Sequence, residues 1–114
     1  MAKYERELSG DFRSVLQRCE SVIMDGSISA SYEDGSDFSW DGMQVAVRVY
    51  ERYSAFGGNR VSLNLTLVGN DTHVFLTAIT AGGSQAVLFK LNTIGEETFL
   101  DTLIAGIRRY YPEL

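Results

Sequence analysis

One cysteine, one proline, one histidine and one tryptophan in 114 residues remove several classes of protein at the outset. Cys19 has no partner within the chain, so a disulfide scaffold is excluded, and one Cys with one His supplies no metal quartet. With its single proline at position 112, the chain has no Pro-rich recognition segment. No apolar run approaches the roughly 20 residues a membrane-spanning helix needs. Lysine is scarce, two residues against eight arginines, and the formal net charge is −5 with a pI near 4.7. Phosphate affinity comes from a clustered cationic excess, so nucleic acid is not an expected partner. Met1 to Glu7 alternates charges where a signal peptide would be apolar. Together these absences predict a cytoplasmic protein with no membrane partner, cofactor or metal.

What is present is ordinary globular material: 45% hydrophobic and 22% charged residues. The length suits one domain over residues 1–114, because two cores would each be too small to hold themselves together. Residues 3–8 alternate as a short strand, with Tyr4, Arg6 and Leu8 on one side. Ser9, Gly10 and Asp11 then offer helix-capping chemistry. Phe12, Val15, Leu16, Cys19, Val22 and Ile23 recur at helical spacing, and Gly26 is placed to end that helix. Cys19 falls on the apolar stripe, which predicts a buried thiol acting as a small hydrophobe.

From Ser27 to about Leu91 the period changes to two. Ile28, Ala30 and Tyr32 predict one strand, Glu33 to Ser36 a turn, and Phe38 with Trp40 a short return strand before Asp41-Gly42. Met43, Val45, Val47 and Val49 alternate with Gln44, Ala46, Arg48, Tyr50 and Arg52. Across a glycine-rich loop, Val61, Leu63, Leu65 and Leu67 alternate with Ser62, Asn64 and Thr66. Residues 72–80 and 84–91 read as two further strands. At the end, Thr93 and Glu96 form a capping-box pattern ahead of Phe99, Leu100, Leu103, Ile104 and Ile107, predicting a second amphipathic helix that stops before Pro112. Short loops require antiparallel neighbours. The expectation is therefore an α+β two-layer sandwich of order β-α-β(4–6)-α, an antiparallel meander with both helices on one face.

That order resembles the TATA-box-binding-protein-like architecture, whose larger relatives include the helix-grip lipid-binding domains. Four segments, Gly26 to Ser36, Val47 to Ser54, Gly57 to Leu63 and Ala78 to Ala86, are similar to a small bacterial family of uncharacterised proteins. The resemblance covers the whole chain and implies its extent and fold, with no activity attached.

Three constellations invite a functional reading. If the apolar sides of the two central strands both face the helices, Arg48, Tyr50 and Arg52 share the open face with Ser62, Asn64 and Thr66, a polar surface suited to a homodimer or a protein partner. If the strands form a simple meander, the loops holding Gly57, Gly58, Asn59 and Arg60 and holding Gly82 and Gly83 lie at one end. Their backbone N–H groups could cradle an anion neutralised by Arg60. Around Phe38 and Trp40, the carboxylates of Glu33, Asp34, Asp37 and Asp41 lack the ligand order of a calcium loop. The two rings either grip a partner or cap the core. His73 has no Ser or Asp at a motif spacing, so no catalytic set assembles and no enzyme is expected. The reading is a non-enzymatic binding or self-association module. Its alternative is a small apolar-ligand binder with a lipid-like pocket between the sheet and the C-terminal helix.

Overall fold

A computed structural model describes residues 1–27, 29–53, 60–82 and 89–112, with backbone alone over 89–97. Its order is β1 (Ala2–Ser9), α1 (Phe12–Asp25), β2 (Ser31–Trp40), β3 (Met43–Tyr53), β4 (Arg60–Gly69), β5 (His73–Gly82) and α2 (Phe89–Tyr110). The five strands form one antiparallel sheet ordered β1-β5-β4-β3-β2. The architecture is α+β, as the periodicity predicts.

Helix α1 begins where its capping residue dictates: the Asp11 carboxylate accepts from the Ser14 N–H at 3.0 Å. It ends at Gly26, whose N–H donates to the Val22 carbonyl. The apolar stripe Phe12, Val15, Leu16, Cys19 and Ile23 is buried against Val61, Leu63, Leu65 and Leu67 of β4 and Val74, Leu76 and Ala78 of β5. From α2, Phe99, Leu103 and Ile107 complete that core, each with no exposed surface. The two helices touch closely where side chains are small. A Cβ on Gly106 would lie 2.3 Å from Val22 Cγ1, so this position admits no larger residue at the present helix separation.

Three expected elements take a different form. Residues 31–40 are one continuous strand with a register shift between Tyr32 and Asp34, in place of two strands and a turn. Gly35 lies inside β2 opposite Arg48, where a Cβ would meet the Tyr32 hydroxyl at 2.6 Å and the Val47 carbonyl oxygen at 2.7 Å. It marks a close approach, which in sequence looks the same as a turn. The reversal comes at Asp41-Gly42, both with positive φ (52° and 81°), the two-residue hairpin that suits the right-handed strand twist.

Residues 89–91, expected to belong to a strand over 84–91, are the first turn of α2; residues 84–88 lie outside the described residues. Helix α2 thus starts four residues before Thr93, and the proposed capping box falls inside it. Both edges of β5 are already taken, by β1 and β4, so a strand following directly has no neighbouring position to occupy.

Candidate functional site

The helices cover β1, β5 and β4, leaving the β2–β3 hairpin at the margin of the helical layer. That placement reverses the expected orientation of β3. In antiparallel pairs, directly opposed residues share a face. Arg48 opposes Leu65, Tyr50 opposes Leu63 and Arg52 opposes Val61, so all three face the helices. Asn64, Ser62 and Thr66 keep the open face, opposite Val49, Glu51 and Val47. The six residues therefore do not form one polar surface.

On the helix side, Arg48 ties the hairpin to α1. Its Nε lies 3.1 Å from Glu20 Oε2 and its Nη2 lies 2.9 Å from Asp37 Oδ1, while Nη1 donates to the Val47 carbonyl at 2.9 Å. Burial removes hydration from this guanidinium, but the hydrogen bonds and charges of Asp37 and Glu20 outweigh that and raise its pKa. Tyr50 is buried beside it, edge-on to Tyr32 at 5.8 Å between ring centroids. Burial, reinforced by the Glu20 charge, raises the Tyr50 pKa and keeps the phenol neutral. Arg52 stacks over Phe99, 4.5 Å from the ring centroid, and burial lowers its pKa. This trio is a structural seam rather than an open recognition face.

The anion-cradle reading meets a similar division. Gly82 opposes Val61, so the described ends of β3, β4 and β5 do meet at one end of the sheet. Gly57, Gly58 and Gly83 lie outside the described residues. Arg60 is engaged by Glu51 at 2.5 Å and by Glu33 at 3.9 Å, so its charge is already matched. His73 Nε2 sits 3.3 Å from Glu7 Oε1 at the surface. Among the described residues, no three metal-ligating groups converge.

What the open face presents instead is an apolar band. Reading across the sheet, Phe75 opposes Val68, Val68 opposes Val45, and Val45 opposes Phe38. One step along the hairpin, Trp40 opposes Met43. Phe38 is 62% exposed, Trp40 76% and Met43 41%, so the aromatic pair stands in water and does not cap the core. Val47, Val49 and Ile79 extend the band along the same face. A contiguous exposed apolar surface of this kind is uncommon on a monomer.

The band was readable in part. Val74-Phe75-Leu76 and Leu67-Val68 are unbroken apolar runs, the signature of strands covered on both faces, where alternation would mean one wet face. The signal missed for β3 was the even-numbered pair Ala46 and Tyr50, an apolar set competing with its valines.

Three surface grooves, of about 350, 400 and 530 Å³, lie beside α1 and α2, at the hairpin, and at the end of β1. Leu63, Leu65, Leu103 and Ile107, the residues that would line a pocket under α2, are fully buried in the core. Among the described residues, no helix is long and apolar enough to cross a membrane. No curated protein matches the chain. A family model does, over residues 1–111, and the chain belongs to that family, DUF6054, a family of unknown function.

Proposed function

We propose that this protein is a non-catalytic self-association module whose open sheet face docks on the same face of a second copy. The observation that carries the reading is the band Phe75-Val68-Val45-Phe38 with Trp40 and Met43, apolar and uncovered by either helix. The open face is large enough. Five strands span about 24 Å, and β3 from Glu51 to Met43 runs about 27 Å at ~3.4 Å per residue. The result is roughly 650 Å² of projected surface per copy, or about 1,300 Å² for two, within the range of stable interfaces.

One charge pair across the face suits a particular arrangement. One row across the face reads Lys3, Ile79, Asn64, Val49, Asp34, with the cation at one edge and the carboxylate at the other. A two-fold axis along β4 lays β1 of one copy over β2 of its partner. It brings each Lys3 toward the partner's Asp34 while Val68, at the centre, meets itself. An acidic chain with one buried thiol also suits a reducing cytoplasm.

Sedimentation equilibrium over 1–200 μM tests the assignment. The parent chain is expected to dimerise, and Phe38→Ser with Trp40→Ser to be monomeric with an unchanged far-UV spectrum. Lys3→Asp and Asp34→Lys should each weaken the dimer, and together restore it. A parent chain that stays monomeric, or a serine variant that dimerises equally well, overturns the proposal.

A further inference from the structure

Arg6 projects from the helix-facing side of β1, opposite Leu76. Its Nη1 is sealed from water and meets no hydrogen-bond acceptor among the described residues. No carboxylate of those residues lies within ion-pair distance either; the adjacent Glu7 reaches to His73. Arg6 as a whole is only part-buried. With one nitrogen covered and no counter-charge among the described residues its charge is costly, and an anion that reaches the rest of the guanidinium from outside offsets that cost.

The same side chain borders a groove of about 530 Å³, lined by Glu7, Leu8 and Ser9 on one side and Tyr110, Tyr111 and Pro112 on the other, the Glu7 carboxylate being engaged by His73 at 3.3 Å. Its size falls in the range of small-molecule sites. A second cation backs the aromatic wall: Arg18 stacks on Tyr110 at 4.2 Å from the ring centroid and lies 6.0 Å from the centre of Tyr111. Arg108 and Arg109 occupy the last turn of α2.

We infer that this groove binds an organic carboxylate with a flat apolar body. The planar guanidinium matches the two oxygens of a carboxylate. The rings of Tyr110 and Tyr111, with Pro112, give a body of that shape somewhere to lie. A bare inorganic anion would use the charge and leave these walls unoccupied. The groove sits at the end of β1, an edge strand, and is lined from both of its faces. Benzoate binding and self-association are read by separate experiments, so failure of one is distinguishable from failure of the other.

Titration of ¹⁵N-labelled protein with benzoate at pH 7 and constant ionic strength tests the assignment. Benzyl alcohol and inorganic phosphate serve as controls. Benzoate is expected to shift the Leu8, Ser9 and Tyr111 amides and the Arg6 Nε–H resonance, saturating with a Kd on the order of 1 mM. Both controls should bind at least about tenfold more weakly. Equal shifts from benzyl alcohol mean an apolar groove alone, equal shifts from phosphate mean a bare anion site, and unsaturable or scattered shifts mean no site. Each overturns the proposal. Arg6→Met, with its spectrum otherwise that of the parent, should lose benzoate binding at least about tenfold, and Arg6→Lys should keep part of it. Benzoate binding by Arg6→Met at parental affinity also refutes it.

Discussion

Cys19 is enclosed in the core, and its burial makes a quantitative claim about alkaline stability. Desolvation, with a smaller contribution from the Glu20 carboxylate, pushes its thiol up to about 12 from an ordinary value of 9.0. Between those values the unfolded chain releases a proton that the folded chain keeps. Stability is therefore whole below pH 9 and falls as the pH climbs toward 12, by about 1.4 kcal/mol per pH unit. At pH 11 the accumulated loss is about 3 kcal/mol, a large part of a small domain's margin. Cys19→Ala removes this term and adds a pH-independent cost of roughly 1 kcal/mol for the lost sulfur. Urea unfolding followed by far-UV circular dichroism, at pH 7.5, 9, 10 and 11 with a non-thiol reductant, isolates the difference. Tyr50, whose pKa is also raised by burial, titrates in both proteins and cancels to first order. The variant is expected to be less stable than the parent at pH 7.5 and more stable at pH 11. A gap between the two that stays constant with pH would refute the reasoning.

Gly106→Ala reverses the usual benefit of alanine in a helix. Its Cβ would fall 2.3 Å from Val22 Cγ1, so a loss of about 1–3 kcal/mol is expected in thermal melts. Val22→Ala in the same chain should recover most of it. Arg48 is only 12% exposed, but Glu20 and Asp37 are 37% and 68% exposed, so solvent screens much of the pairing. Arg48→Met should cost about 1–2 kcal/mol. Hydrogen exchange should accelerate selectively in β2 while β4 and β5 keep their protection; uniform acceleration would contradict the anchoring role.

Helix α1 was legible almost to the residue, because its cap, its stripe and its closing glycine are local features that agree with one another. Strand β4 was equally clear, its Val61 to Leu67 alternation having one apolar set and one polar set. Strand β3 was not. Met43, Val45, Val47 and Val49 look more like a core face than Ala46, Arg48, Tyr50 and Arg52, yet the latter set meets the helices. A pattern of period two says that a strand has two faces and leaves open which is inside. For an element at the margin of the helical layer, both faces are part wet. Long side chains such as Arg48 can then reach the edge of α1 while the valines line the other surface.

The amino-acid sequence alone determined the α+β class, both helices, and the Asp41-Gly42 reversal, since each rests on contacts within a few residues. The tertiary structure decided which face of β3 is covered, that β5 is closed on both edges by β1 and β4, and that Arg6 has no counter-charge among the described residues. Those outcomes depend on residues as much as 78 positions apart, such as Ala2 and Thr80 across the β1–β5 pair. Only the folded register brings such residues together. The apolar band from Phe75 to Phe38 exists for the same reason: four strands contribute one side chain each, and no stretch of the chain contains them all.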